Sequence, residues 1–357
     1  MKKTYSVTST SKPSTAPHHK VRIFDTIQVQ SALAAAGVVN SPYSGEAPFM
    51  PSVSENEHAR LEALLRLSID AGGGHRPAFI ASGALIKCLE ALISKCPGFH
   101  GVISVWLGAA HLSCRSRTPF SVPPVLLVGS PGIGKTRFLS ELANVLNVAM
   151  APGQAPATAR VACNTCSDAG MLVGHPISWR SAKTGEFTRA LIASPVAQTL
   201  IVLDEVDKLT PATISDNPFN VLLSLLEPEN SRRLRDEYLE IEFDLSHALI
   251  VATANSTAPL PEPLLDRFLV VEISSPSAET RKAIARDVFG DIAGEHFEMP
   301  TDDILAQIAK FHPRKQRQIV RLALGHAARA GRDHVVADDL NAAASLGVQP
   351  AAKIGFF

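Results

Sequence analysis

The sequence lacks long apolar runs. Its most apolar stretches, near residues 102–112 and 249–254, fall well short of the roughly 20 apolar residues that a membrane-crossing helix needs. The amino terminus also lacks the continuous apolar core that is typical of a signal peptide. These two absences predict a protein without a membrane span.

Net charge and cysteine are also scarce. The 34 Lys and Arg residues balance the 34 Asp and Glu residues, so no global charge favours nucleic acid or an anionic membrane. A nucleic-acid partner remains possible but is not indicated. The five cysteines are an odd number in a long chain, which is not the pattern of a disulfide framework. Together with the missing signal peptide, this favours a cytoplasmic location.

The composition allows a large core. The chain has 357 residues and 46% apolar residues, enough for more than one structural unit. Residues 1–54 differ, because they are rich in Ser, Thr and Pro and contain no acidic residue before Asp25. Such a composition rarely supports a packed core and predicts a disordered tail. Within it, residues 26–36 have the pattern of a short helix, so a docking peptide is the alternative.

Helical spacing of apolar residues follows the predicted tail. It covers residues 55–67, 81–95 and 102–115, with glycine or proline breakers after each segment. The pattern predicts a small helical N-terminal region over residues 55–119.

Three short, wholly apolar runs then indicate buried strands. They cover residues 125–128, 200–203 and 248–252, and each ends in residues with polar or phosphate-binding character. This predicts an α/β domain over residues 120–275, with a parallel sheet flanked by helices and a ligand at the carboxyl edge of its strands. Helical patterns alone follow, which predicts an all-α lid over residues 276–346 and a short tail over residues 347–357.

The first apolar run leads directly into a phosphate-loop motif. Its residues are Gly129, Ser130, Pro131, Gly132, Ile133, Gly134, Lys135 and Thr136. Glycines let backbone amides face phosphates, and the following helix terminus favours anions. Lys135 is expected to hold the β- and γ-phosphates, and the Thr136 hydroxyl to bind Mg²⁺. An ordinary glycine-rich turn is the alternative, but the strand before the loop and the helix after it favour a P-loop NTPase.

Two acids follow the second run. Asp204 is expected to reach the metal, directly or through water, because a hard cation takes oxygen ligands. Glu205 is then placed to orient and polarise the attacking water. Acids at a strand end can also be solvated caps, but a phosphate loop nearby favours the catalytic interpretation. ATP and Mg²⁺ are thus the expected ligands, and ATP hydrolysis is the expected activity.

These motifs, in this order, resemble the AAA+ family and most closely the ATPase module of Lon-type proteases. The resemblance covers roughly residues 124–328. Its segments are VGSPGIGKT at 128–136, LDEVDKL at 203–209, NVLLSLLEPEN at 220–230, DEYLE at 236–240, FDLS at 243–246, VATAN at 251–255 and PLLDRF at 263–268.

The resemblance implies further roles around the nucleotide. Asn255 matches the polar sensor 1 residue, which holds the attacking water or the γ-phosphate. Arg267 matches the arginine finger that reaches a neighbouring subunit's nucleotide, although an arginine after Asp is otherwise usually a surface ion pair. Arg314 matches the sensor 2 arginine of the lid. His312 stands where the family commonly has glycine, and Arg317, one turn later, is the competing candidate.

The segment around Trp179 resembles the Lon pore loop. In such motors an aromatic residue at this position grips a threaded polypeptide, and the usual tyrosine is replaced here by tryptophan. A buried core tryptophan is the alternative.

The resemblance therefore implies an oligomeric ATPase, expected to be a hexameric ring, that remodels or threads a polypeptide. Lon proteases carry a serine–lysine peptidase domain after the lid, whereas this sequence continues only to residue 357, so we expect no proteolysis by it. The alternative is a nucleotide-switched scaffold, or a DNA-associated ATPase, that signals to a separate effector protein.

Overall fold

A computed structural model describes residues 19–38, 53–150, 153, 155–166, 168–210, 217–274, 277–311 and 313–346, without the side chains of residues 313, 314 and 346. Of the tail predicted for residues 1–54, residues 1–18 and 39–52 lie outside this part, as does the tail predicted for residues 347–357. The helices are α1 (Thr26–Ala35), α2 (Glu55–Ser68), α3 (Gly83–Lys95), α4 (His100–Ser116), α5 (Lys135–Ala149), α6 (Gly170–Val173), α7 (Glu186–Ala193), α8 (Pro218–Leu226), α9 (Glu262–Leu265), α10 (Ala278–Ala293), α11 (Asp302–Ile308), α12 (Pro313–Arg329) and α13 (Ala337–Leu346). Among the described helices, none combines the length and apolarity that membrane crossing requires.

A five-stranded parallel sheet organises the molecule. The strands are β1 (His19–Arg22), β2 (His75–Ala78), β3 (Val125–Val128), β4 (Thr158–Ala162), β5 (Leu200–Asp204), β6 (Leu234–Asp236), β7 (Ile241–Phe243), β8 (Leu249–Ala254) and β9 (Leu269–Glu272). The large sheet has the order β4-β5-β8-β3-β9, and β1-β2 and β6-β7 form two small antiparallel pairs. The three predicted strands are its centre, and the parallel α/β prediction is confirmed.

The central strands are apolar because both faces of the sheet are covered. In β3, Leu126 belongs to one buried cluster, whereas Val125 and Leu127 belong to the other. The same alternation continues in β5, where Ile201 and Val202 lie in opposite clusters. A strand buried on both faces needs a continuous apolar run rather than an alternating one. The sheet thus separates two cores and brings the carboxyl ends of its strands to one edge.

Helices α3 and α4 share one core with the sheet. Trp106 of α4, Phe138 of α5 and Leu127 of β3 are all buried in the same cluster. The predicted helices of residues 55–119 are therefore present, but α3 and α4 have no separate core of their own within the described chain. Strand β2 was not predicted, because it follows three glycines and contains Pro77.

The prediction of a disordered tail is wrong for residues 19–38. Strand β1 pairs with β2, and Asp25 caps the amino terminus of α1 by accepting a hydrogen bond from Ile27 N at 2.9 Å. Ile23 and Phe24 are buried in the main core, where the Phe24 ring meets the Phe243 ring edge-on at 5.9 Å. The composition averaged over residues 1–54 did not indicate these few apolar residues. Their buried apolar surface stabilises this segment against the core.

The carboxyl-terminal helices form a cluster of their own. Phe289, Leu305 and Val320 are buried together there, from α10, α11 and α12. Ser277 caps α10 by accepting a hydrogen bond from Thr280 N at 3.1 Å. This confirms the predicted all-helical region after the sheet.

Candidate active site

The phosphate loop connects β3 to α5 in the predicted strand, loop and helix order. A Cβ atom added at Gly129 would lie 2.9 Å from Ile273 O, which directly follows β9. Only glycine therefore fits at this position. Gly134 has φ +105°, a left-handed conformation that side chains rarely adopt, and it caps α5 without a side-chain hydrogen bond. The first amide groups of α5 therefore remain suited to an anion.

Lys135 and Asn255 meet at the carboxyl edge of the sheet. Lys135 Nζ donates to Asn255 Oδ1 at 3.0 Å, to Gly129 O at 2.5 Å and to Ser130 O at 3.3 Å. Asn255 directly follows β8, which pairs with β3 and so lies next to the phosphate loop. The structure brings together these two predicted site residues, and the lysine ammonium is hydrogen-bonded to backbone carbonyls of the phosphate loop.

Asp204 lies opposite Thr136. The Thr136 hydroxyl donates to Asp204 Oδ2 at 3.2 Å, which joins the start of α5 to the end of β5. A hydroxyl and a carboxylate form an oxygen-only donor set, and this chemistry fits a hard divalent cation such as Mg²⁺. The predicted metal-binding pair is therefore close enough to share one ion.

Thr253 connects the two predicted acids and was not assigned a role from the sequence. Its buried hydroxyl donates to Asp204 Oδ1 at 2.6 Å and accepts from Glu205 N at 2.9 Å. Glu205 itself has φ +58° and ψ +50°, a left-handed conformation that costs about 1 kcal/mol for a residue with a side chain. The sequence could have indicated this role, because Thr253 is a polar residue in an otherwise apolar, buried strand.

A cavity of about 220 Å³ joins these residues to the lid. Its lining includes Lys135, Asp204, Glu205 and Asn255 from the sheet edge, and Val288 and Arg317 from the lid. A second cavity of about 100 Å³ adjoins it, because both share Gly134, Arg137 and Ile284. The second cavity is largely apolar, with Phe99, Ile133 and Phe138 in its wall.

A larger, open cavity of about 640 Å³ lies elsewhere, between α1, α2 and the β6-β7 pair. Its lining includes Arg60, Arg235 and Glu240 but no part of the phosphate loop. Size therefore does not identify the active site, and the chemistry places it at the sheet edge.

The lid contributes Arg317 to the phosphate-loop cavity. Arg317 donates to Asp291 Oδ2 at 2.9 Å, and both side chains are about half exposed. The side chain of Arg314 lies outside the described residues, so its predicted role stays a prediction. Of the two sensor 2 candidates, Arg317 is the one whose described side chain lines the cavity.

Arg267 lies away from this cavity, at the end of α9. Its Nε donates to Glu227 Oε2 at 3.0 Å, its Nη2 lies 2.9 Å from the same oxygen, and its Nη1 donates to Pro263 O at 2.8 Å. The side chain is 34% exposed. Arg267 therefore does not line the phosphate-loop cavity of its own chain.

Trp179 is exposed at the tip of a loop between α6 and α7. Its residue is 45% exposed, so the interpretation as a buried core tryptophan is wrong, and Trp106 is the buried one. The His175 ring packs against the indole at a centroid distance of 5.2 Å, and Asp168 Oδ1 lies 2.9 Å from His175 Nε2. Asn56 Nδ2 of α2 donates to Trp179 O at 2.8 Å.

Buried Asp236 fixes the base of the Trp179 loop. Its Oδ2 accepts from Gly185 N at 3.0 Å, and its Oδ1 accepts from Tyr238 N and Leu239 N. Burial raises the pKa of the Asp236 carboxyl, whereas hydrogen bonds from Leu239 and Gly185 lower it. One carboxylate thus holds the loop and the turn after β6 together.

The parallel sheet, the phosphate loop before α5 and the acids at the end of β5 define a P-loop nucleoside triphosphatase. A model of the ATPase family associated with various cellular activities (AAA) matches residues 125–275. Residues 125–275 of the chain are thus similar to the ATPase domains of this family.

Curated relatives share this ATPase region. The Lon protease of Mycoplasma pneumoniae is 29% identical over 244 residues, which are 64% of this chain and 30% of that protein. The peroxisomal Lon protease homolog 2 of Oryza sativa subsp. indica is 34% identical over 176 residues, which are 49% of this chain and 19% of that protein. This chain thus matches less than a third of the length of either relative.

A solved structure shows the same fold. A closed-state cryo-EM reconstruction of Hsp104 with ATPγS and FITC casein aligns with a TM-score of 0.54 and 17% identity, over 87% of this chain and 53% of that chain. At this identity the likeness concerns the fold alone.

Proposed function

We propose that this chain binds and hydrolyses ATP with Mg²⁺ at the phosphate-loop cavity, as one subunit of an oligomer that remodels polypeptides. The observation that carries the ATPase step is the convergence of Lys135, Thr136, Asp204, Glu205 and Asn255 at one sheet edge. These residues supply a phosphate-binding cation, an oxygen donor set and a carboxylate within one cavity.

Binding uses both adjoining cavities. The apolar one, with Phe99 and Phe138 stacked at 4.3 Å, suits a purine base. The loop amides and Lys135 then hold the phosphates, with the amino terminus of α5 adding a favourable dipole. Arg317 lines the same cavity from the lid, and in this proposal its guanidinium contacts the phosphates and couples them to the lid.

Thr136 and Asp204 would hold Mg²⁺ through their oxygen atoms. An ion held there would supply positive charge that offsets the negative charge of the phosphate oxygens. Lys135 adds a second positive charge within the same cavity.

Glu205 acts on the attacking water in this proposal. A carboxylate accepts the hydrogen bond that orients the water toward the γ-phosphate. The position of the Glu205 backbone is fixed by its left-handed conformation and by the hydrogen bond from Glu205 N to the Thr253 hydroxyl. This backbone position determines the direction in which the side chain leaves the strand end. Asn255 supplies a second polar group for the attacking water or the γ-phosphate in this proposal. Its amide oxygen accepts a hydrogen bond from Lys135, the residue that holds the phosphates.

A neighbouring subunit completes the site. Arg267 does not line the cavity of its own chain, but its permanently charged guanidinium is partly exposed. Contacts of this head-to-tail kind close into rings, and we expect a hexameric ring. The mechanical step uses Trp179, whose exposed indole is large enough to grip an extended polypeptide and whose loop is fixed at its base by Asp236.

The test is phosphate release by the purified chain with ATP and Mg²⁺, measured beside a Lys135→Ala variant. We expect wild-type turnover, and loss of both nucleotide affinity and turnover in the variant. A wild-type chain that neither binds nor hydrolyses ATP contradicts the proposal.

A further inference from the structure

The carboxylate of Glu227 stands where α8 ends and faces Arg267. A single oxygen, Oε2, accepts from Nε of Arg267 at 3.0 Å and lies 2.9 Å from Nη2 in the same ion pair. On its other side the guanidinium is fixed by Pro263 O, which accepts from Nη1 at 2.8 Å. Helices α8 and α9 thus hold one guanidinium between them.

N–H groups of Arg267 remain after these contacts. A guanidinium has five N–H groups, of which Nε–H donates to Glu227 and one on Nη1 donates to Pro263, while Nη2 lies in the ion pair with Glu227. Each terminal nitrogen thus keeps at least one N–H group without a hydrogen-bond acceptor in the part of the chain that the structure describes. A pair of N–H groups in this fixed geometry matches two oxygens of a phosphate.

The ion pair adds little to folding. Glu227 is 41% and Arg267 34% exposed, and ion pairs this open to solvent contribute little to stability. Its effect is therefore on orientation. A long arginine side chain loses conformational freedom when it binds, and a side chain already held in place avoids that cost at the interface.

We propose that Glu227 is a positioning residue, which holds Arg267 ready for the phosphate of a neighbouring subunit's nucleotide. The inference rests on the proposed function, because it needs an active site shared between subunits. Glu227 itself touches no nucleotide. It acts through the orientation of Arg267, whose side chain is 34% exposed and keeps N–H groups for an acceptor outside its own chain.

Subunit mixing tests this directly. Arg267→Ala subunits keep Glu205, and Glu205→Gln subunits keep Arg267, so each is inactive alone. Random assembly of an equal mixture makes about one head-to-tail interface in four complete. We expect ATP turnover to return in this mixture. Adding Glu227→Ala to the Glu205→Gln subunit should lower the recovered turnover between about 10- and 100-fold, because the finger loses its position.

The matched control is Glu229→Ala in the same Glu205→Gln subunit, since Glu229 is exposed and stands two residues along the chain. It should leave the recovery unchanged. Glu227→Gln keeps an oxygen acceptor without the charge and should restore part of the turnover, and thermal melting of each subunit checks folding. Recovery that is equal with and without Glu227 overturns the inference. No recovery in the first mixture instead contradicts the shared active site and removes the basis of the inference.

Discussion

The Thr253 hydroxyl donates to Asp204 Oδ1 at 2.6 Å while it accepts from Glu205 N at 2.9 Å. One buried side chain of β8 thereby sets the positions of both acids at the end of β5. Because these acids have different proposed tasks, on the metal and on the water, the hydroxyl fixes their relative placement.

Thr253→Val should impair both folding and turnover. Valine has nearly the same shape but lacks the hydroxyl, so Glu205 N loses its acceptor inside the protein. We expect a loss of about 1–3 kcal/mol in the free energy of unfolding, measured by urea denaturation. We also expect a lower kcat with little change in ATP affinity. Thr253→Ser keeps the hydroxyl and should retain most of the turnover, whereas equal behaviour of the two variants would argue against this role.

Arg317→Ala should weaken ATP binding or turnover at least several-fold. The arginine lines the phosphate-loop cavity and would lose its contact with the phosphates. Asp291→Asn is the matched control, because it removes the ion-pair partner and leaves the guanidinium in place. Arg314→Ala in parallel decides between the two sensor 2 candidates. A larger effect at Arg314, with none at Arg317, would contradict the assignment of Arg317.

Trp179→Ala should separate mechanical work from hydrolysis. Because Trp179 lies outside the phosphate-loop cavity, basal ATP turnover should stay within about twofold of wild type. Unfolding of a green fluorescent protein with an unstructured tail should slow at least about tenfold, since the exposed indole supplies the grip.

Leu112→Ala is the control for this experiment. It removes another exposed apolar side chain, on α4, and should leave both rates unchanged. Unfolding by the Trp179→Ala variant at the wild-type rate would contradict a gripping role for the loop.

Asp70→Asn should remove a pH-dependent part of the stability. The Arg76 guanidinium binds both Asp70 oxygens, at 2.9 and 3.0 Å, and with the Gly74 amide it holds the pKa of that carboxyl below its usual range. A lowered native pKa means that the unfolded chain binds protons first as the pH falls. The stabilisation is therefore complete above the unfolded pKa of about 4 and is lost as the pH falls through the native value.

The measurement is urea denaturation of both proteins from pH 7 downward. At pH 7 the variant should be about 1–3 kcal/mol less stable, and the difference should shrink below about pH 4. Asp303→Asn, at an exposed aspartate, is the control and should change little. A difference that is constant with pH would contradict the electrostatic cause.

The centre of the fold could be predicted because its residues leave few choices. A run such as 125–128, wholly apolar and followed by glycines, fits a strand that is buried on both faces. The edge strands β4 and β9 escaped prediction, because Leu269 and Val270 are partly exposed and β4 alternates between buried and exposed residues.

Contacts that are distant in sequence could not be predicted. The pairing of Glu227 with Arg267 depends on how α8 and α9 pack, and no local pattern encodes it. For the same reason β1 was not predicted within the tail, because its partner β2 lies more than fifty residues away in the sequence. The phosphate loop and Asp204 were predictable because their chemistry requires particular residue types beside particular strands.

The most direct test of the central claim compares ATP binding with ATP turnover in Glu205→Gln. The substitution keeps the size of the side chain and removes the carboxylate that acts on water. We expect wild-type ATP affinity, measured by calorimetry with Mg²⁺, and a kcat that is lower by about 10²–10⁴-fold. Undiminished turnover by Glu205→Gln, with ATP bound at the phosphate loop, would contradict the role of the Glu205 carboxylate in hydrolysis.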